Sequence, residues 1–213
     1  EIKELKYRDG EWPGYLKITM NDSSILKAEK FYYNYLIPFF ITKSSLLSVD
    51  FSNELTDISV GDAWHPKYEN LGEGYSVIIA RSQKGLNLLK EMKEQEIIEL
   101  DKIDLQEAIN MHGHMIDFKK RGSFIRFKFR KIFGKNIPDF GYIPEKITII
   151  RIFVELIVSA LFFISSLKVI RSLIVFIPIK IIGPFFNFLR IKWKSISKST
   201  KRKGLDNYKV IIK

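Results

Sequence analysis

Apolar and polar residues alternate along Ile2 to Tyr7 and again along Tyr15 to Met20, on either side of Asp9-Gly10-Glu11-Trp12-Pro13-Gly14. Period-two alternation about a turn rich in Gly and Pro predicts a β-hairpin. Lys27 to Leu36 predicts a short helix stopped by Pro38, because proline lacks the amide proton a helix interior needs. Ile58-Ser59-Val60 predicts a short strand ending in a Gly61-Asp62 turn. After the loop Gly72-Glu73-Gly74, Tyr75 to Ala80 predicts a buried strand. Ser82-Gln83-Lys84-Gly85 then opens an amphipathic helix with Leu86, Leu88, Leu89 and Met92 on its apolar side. Ile97-Ile98 begins a further short strand. Asp104 is placed to cap a helix, with Glu107 at the capping-box spacing, and a long basic helix follows, interrupted near Gly122.

The pattern changes after residue 146. Ile147 to Ile191 is apolar and aromatic, broken by Arg151, Glu155, Lys168, Arg171, Lys180 and Arg190, and a basic, Ser-rich tail follows. Three regions are expected: an α+β (or α/β) domain of mixed sheet and flanking helices over 1–145, a hydrophobic helical appendage over 146–191, and the tail over 192–213. A spanning helix needs about 20 mostly apolar residues, and the longest charge-free run, Leu156 to Leu167, is too short. A charge at the bilayer centre costs about 2.5–3.5 kcal/mol, while each Leu, Ile, Phe or Val returns about 0.3–0.6 kcal/mol. The expected arrangement is therefore one or two helices lying in a membrane interface, held by the flanking basic tail, while spanning stays open because lysines near the ends can snorkel. Burial against the rest of the fold or against another subunit is the competing arrangement.

Composition narrows the chemistry. Hydrophobic residues make up 46% of the 213, enough for a core. The net charge of +11, with its excess after residue 118, suits nucleic acid, anionic lipid or a phosphorylated cofactor. Lys119 to Lys135 interleaves eight basic residues with Phe124, Phe127, Phe129 and Phe133. That stretch would serve nucleic acid or a membrane surface, and the hydrophobic segment that follows favours the membrane. The expected location is cytoplasmic, at the inner face of the membrane. The chain has no cysteine, which excludes disulfides, thiol nucleophiles and thiolate metal ligands within it. His112-Gly113-His114 resembles a metal pair, but on a helix positions i and i+2 point apart, and no metal site is expected. No Ser-His-Asp set, phosphate-binding loop or carboxylate pair stands out, so any chemistry belongs to a bound cofactor. A start at Glu1, inside a strand pattern, reads as a fragment or processed piece.

Three stretches together resemble the C-terminal domain of the coenzyme F420 hydrogenase/dehydrogenase beta-subunit family. They are Tyr7 to Gly14, with its Arg–Gly–Trp–Pro–Gly turn; Glu54 to Trp64, the most specific; and Gly74 to Ser82 with Gly85. Lys119, Lys120, Arg126 and Pro138 continue the likeness, which runs in the family's order over roughly residues 1 to 145. The resemblance implies a flavin-linked oxidoreductase subunit that binds FAD and moves hydride or electrons between coenzyme F420 and an electron carrier. It also implies other redox subunits or a ferredoxin-like domain as partners. Where the family carries Cys-x-x-Cys-x-Asp, this chain has Ser45 and Ser48. A neutral hydroxyl matches neither the charge nor the softness of a thiolate, so no iron–sulfur cluster is expected there. The alternative is a non-catalytic, membrane-associated relative that has lost its cluster site.

The candidate cofactor-contacting residues follow from those stretches. Arg8 and Arg81 are guanidinium forks suited to phosphate or carboxylate. Trp12 and Trp64 could stack on a flavin or adenine ring. Gly14, Gly61 and Gly74 permit close backbone approach, with Asp62 beside Gly61, and Ser76 brings a hydroxyl. Each also has an ordinary reading, as surface arginine, core aromatic or turn residue.

Overall fold

A computed structural model describes residues 1–29, 36–144, 147–178, 181–192 and 210–212. Strands β1 (Ile2–Asp9), β2 (Tyr15–Met20) and β3 (Ile25–Glu29) make one antiparallel sheet in chain order. The first hairpin is the one the alternation predicts. β3 occupies part of the stretch expected to be helical: Leu26 and Ala28 pair with Ile18 and Leu16, so an open strand edge overrides local preference. Residues 30–35 of that expected helix lie outside the described residues. Pro38 sits at the start of α1 (Ile37–Phe40), where a missing amide proton leaves nothing unpaired.

A short helix α2 (Lys43–Leu47) is capped by the Thr42 hydroxyl, which accepts from the Ser45 amide at 3.2 Å. Strands β4 (Ile58–Asp62) and β5 (Ser76–Ala80) form a second antiparallel sheet, joined through α3 (Pro66–Glu69). Gly61 and Asp62 are not a turn. They continue the ladder opposite Val77 and Ser76. β5 buries only Val77, because a two-stranded sheet has little to cover it. Helix α4 (Gln83–Glu94) starts as expected at Ser82, whose side chain accepts from the Gly85 amide. No strand forms at Ile97. Glu96 turns through a φ of 57°, and the Ile97 amide closes α4 by donating to the Met92 carbonyl at 2.9 Å.

Asp104 caps α5 (Leu105–Asp117) through the Gln106 amide. The expected interruption is a π-helical turn, Phe118–Gly122, which runs into α6 (Ser123–Ile132). Strand β6 (Tyr142–Pro144) precedes α7 (Ile149–Ser166), α8 (Lys168–Leu173), a 3-10 turn (Ile174–Phe176) and α9 (181–192). Strand β7 (Val210–Ile212) returns to pair antiparallel with β6. The fold is α+β, with small antiparallel sheets and three separate apolar clusters among the described residues. One gathers Ala63, Val77 and Met111, a second Val49, Phe124 and Phe127, and a third Phe39 and Phe186.

An ionic network joins the basic helices to the apolar one. Arg151, on α7, donates through Nε to Asp117 at 2.6 Å and through Nη1 to Glu155 at 2.7 Å. Arg126, on α6, pairs with the other Glu155 oxygen. Asp117 and Glu155 are both 0% exposed, with Arg126 and Arg151 at 7% and 5%. Two positive and two negative charges therefore meet away from water, where each needs its partner. Gly122 makes the approach feasible, since a Cβ there would lie 2.7 Å from a Glu155 oxygen. Glu155→Ala leaves Arg126 and Arg151 facing each other without the carboxylate they share and is expected to cost about 3–5 kcal/mol of stability. The exposed pair Lys6–Glu4, broken by Glu4→Ala, is expected to cost under about 1 kcal/mol. Chemical denaturation of the whole chain measures both, and equal losses would remove the network from this role.

Candidate functional site

The turn between β1 and β2 folds over the end of the second sheet. Gly14 holds a φ of 76°, and a Cβ there would come 3.1 Å from the Arg8 Cα, so the turn closes tightly only with glycine. The Trp12–Pro13 bond is cis. The Trp12 amide donates to the Gly72 carbonyl at 3.0 Å, and the Trp12 ring lies 4.9 Å from the ring of Trp64. Arg8 lies over the Trp12 ring at 4.3 Å and pairs with Asp62 at 2.5 Å. The backbone of Gly74 closes the cluster beside the Trp12 ring.

Six of the nine candidate residues thus come together: Arg8, Trp12, Gly14, Asp62, Trp64 and Gly74. Gly61 and Ser76 adjoin them on β4 and β5, Gly61 against Val77 and Ser76 paired with Asp62. Arg81 does not join. At the opposite end of the β4–β5 hairpin it donates to the Ser59 hydroxyl at 2.9 Å and to the Ser52 carbonyl and hydroxyl at 2.8 and 2.9 Å. It fastens the 50–53 loop to the sheet.

The cluster is a shelf open to solvent. The Arg8 and Asp62 side chains are 36% and 37% exposed, so water screens their ion pair, which holds at most about 1 kcal/mol. An incoming phosphate or carboxylate can take Arg8 from Asp62 at little cost. The two indoles are tilted 37° to one another, Arg8 covers the Trp12 ring, and Trp64 also packs against the cluster of Ala63, Val77 and Met111. In chemical type, a guanidinium beside two indoles is a set that could hold a flat, anionic cofactor.

The motifs did not reveal His112, on α5. Its Nε2 lies 2.8 Å from the Asp62 carbonyl oxygen, so the neutral ring donates there, and Phe51 packs at 5.3 Å. It supports the backbone of Asp62 from beneath. No sequence spacing relates residue 62 to residue 112, and the pairing with His114 pointed to a different chemistry.

The segment bearing Ser45 and Ser48 is built as a bracket. The Ser45 carbonyl accepts from Lys119 Nζ at 2.5 Å, the Leu46 carbonyl from Arg126 Nε at 2.7 Å, and the Ser48 carbonyl from the Ser123 hydroxyl at 2.9 Å. These are carbonyls at the end of α2 without a helical partner, where cations and donors are stabilising. Ser48 Oγ is engaged with the Asp50 backbone, accepting from its amide at 3.2 Å. Burial, with the neighbouring Arg126, pushes the Lys119 pKa down. Hydroxyls in this setting do not fit an iron–sulfur cluster.

Residues 1–106 match the family model described as the C terminus of the beta subunit of coenzyme F420 hydrogenase/dehydrogenase. No curated protein and no solved structure matches the chain. All the residues on the shelf lie within the match, whereas Lys119, Lys120, Arg126, Pro138 and the contact from His112 lie beyond it.

Burial lowers the His112 pKa, against a smaller opposing pull from the Asp62 carbonyl and carboxylate. The unfolded chain, with an ordinary histidine near 6.5, then binds more protons in mild acid than the folded one. The contribution of His112 to stability is full above that value and is lost as pH falls through the lowered folded pKa. His112→Gln, which keeps a donor to Asp62, is expected to flatten the acid limb of a stability–pH profile. An unchanged limb would show that His112 does not titrate with unfolding.

Proposed function

Because residues 1–106 belong to the C-terminal family of coenzyme F420 hydrogenase/dehydrogenase beta subunits, we propose that this chain is a flavin-linked redox module that handles hydride or electrons between coenzyme F420 and an electron carrier. The observation that carries the reading is the convergence of Arg8, Trp12, Asp62 and Trp64, drawn from two of the separate motifs, on one solvent-open shelf. A bound flavin supplies the hydride and electron chemistry, and the protein supplies placement and charge. Arg8 binds the anionic part of the cofactor, releasing Asp62. Trp12 and Trp64 set the plane of the ring system. His112 and Gly14 hold the two backbones that carry these side chains at fixed separation. Partners are other redox subunits or a ferredoxin-like domain, since no cluster is assigned to Ser45 and Ser48.

A second reading has its own observation. The bracket around Ser45 and Ser48 gives the segment a purely structural occupation, as in a non-catalytic accessory relative. Titration of FAD into the purified whole chain, followed by flavin fluorescence, separates the two. Saturable binding is expected, weakened about tenfold to a hundredfold by Arg8→Ala, the loss of one charge-assisted hydrogen bond. Arg81→Ala is expected to leave binding unchanged and to lower stability instead. No binding by the folded chain, or equal loss in both variants, would overturn the flavin reading in favour of the accessory one.

A further inference from the structure

Helix α7 has its polarity reversed. Its charged residues, Arg151 and Glu155, face inward and are 5% and 0% exposed. Its exposed positions are Ile149, Ile150, Phe153, Leu156, Ile157, Ala160, Phe163 and Ile164, every one apolar. At about 100° per residue, that stripe is centred roughly opposite the line through Arg151, Glu155, Phe162 and Ser165. The inner line is fastened to the domain as far along as Phe162, whose ring meets Phe118 edge-on at 6.0 Å. A helix with charges inside and hydrocarbon outside is suited to lipid, not to water. Beyond α7, past the exposed Lys168 and Arg171, Val175, Phe176 and Ile181 are 79%, 82% and 67% exposed. An apolar cavity of about 380 Å³ opens among the same helices, with Ser165 the one polar residue in its lining.

Topology and charge decide how such a surface meets lipid. β6 enters the apolar segment and β7 leaves it, and the two strands are paired, Tyr142 with Ile212 and Pro144 with Val210. Both ends of the excursion are thus on the same side, which rules out a single crossing. A double crossing would place Lys168 and Arg171 on the far side and would surround with lipid a helix whose inner line is fastened to a hydrated domain. Residues 119–213 carry 22 Lys and Arg against 4 Asp and Glu. Such an excess draws the module to an anionic surface.

We propose that α7 lies in the plane of an anionic membrane, its apolar stripe sunk among the acyl chains of one leaflet and the α+β domain carried on its inner, ion-paired line. The 18-residue helix, about 27 Å long, then acts as a keel and not as a span. Lys168 and Arg171 come to the level of the headgroups, beside the hydrated domain. This assignment is independent of whether the shelf binds a flavin.

The absence of cysteine from the chain makes the test direct. The whole chain is floated with vesicles of equal parts phosphatidylcholine and phosphatidylglycerol, and with phosphatidylcholine alone. Flotation is expected with the anionic vesicles and is expected to weaken in high salt. Ile157→Asp, on the outer line, is expected to reduce partitioning by at least about tenfold with unchanged far-UV circular dichroism. Single cysteines at Lys135→Cys, Ser172→Cys, Lys192→Cys and Phe163→Cys are then probed on sealed vesicles with a membrane-impermeant maleimide. The first three are expected to label from the side of addition while the fourth is protected by lipid. Protection of Ser172→Cys would show two crossings, opposite sidedness of Lys135→Cys and Lys192→Cys would show one, and either overturns the in-plane assignment. A folded chain that stays in the dense fraction with both lipids overturns it as well, and assigns the stripe to a protein partner.

Discussion

Glu155 is fully buried on the long apolar helix α7, and it accepts from two arginines that come from different helices. Arg151 then passes to Asp117, at the end of α5, so α5, α6 and α7 are closed around four buried ions, with the less buried Arg121 also 3.4 Å from Asp117. Desolvating four ions costs about as much as their mutual attraction returns, so the network is a poor source of net stability. What it fixes is orientation. A helix apolar on most of its surface could rotate about its axis with little change in burial, and Arg151 and Glu155 allow one rotation only. Which side of α7 faces outward follows from that pairing.

Arg126 carries the constraint further. Besides Glu155 it donates to the Phe118 carbonyl at 3.1 Å, inside the π-helical turn, and to the Leu46 carbonyl at the end of α2. One guanidinium thus ties the segment that bears Ser45 and Ser48 to the helix that carries the apolar stripe. A fan of hydrogen bonds of this kind needs several donors fixed in one plane, which a guanidinium has and an ammonium lacks. Lys119 adds a second tie at the Ser45 carbonyl. In a chain where those positions are not thiolates, charge and carbonyl dipoles hold the loop closed.

Local signals were legible where the physics is local. The β1–β2 hairpin, the caps at Ser82 and Asp104, and the interruption near Gly122 each depend on residues within a few positions of one another. What failed depended on pairing at a distance. β3 took residues 27–29 of an expected helix because β2 offered an edge, and Gly61 and Asp62 stayed in a strand because Val77 and Ser76 stood opposite. Ile97 carried the right side chain for a strand, but its amide was already used to close α4. The shelf divides in the same way. Arg8, Trp12, Asp62 and Trp64 were legible through the family's motifs, whereas Arg81, equally basic and equally close to a motif, is spent on Ser52 and Ser59. His112 has no signal at all in one dimension.

The C-terminal segment shows why charge counting along a chain can misjudge its environment. Read singly, Glu155 and Arg151 each add a large transfer penalty and argue against contact with lipid. Paired with each other and with Arg126 and Asp117 on the inner line of α7, they never face the surface that lipid would touch, so the penalty does not apply to that surface. The outer line, taken alone, has no charged or polar residue over its whole length. The same two residues that break the hydrophobic run in sequence are therefore what leaves an unbroken hydrophobic stripe in space, because pairing them inward is what turns the apolar side out.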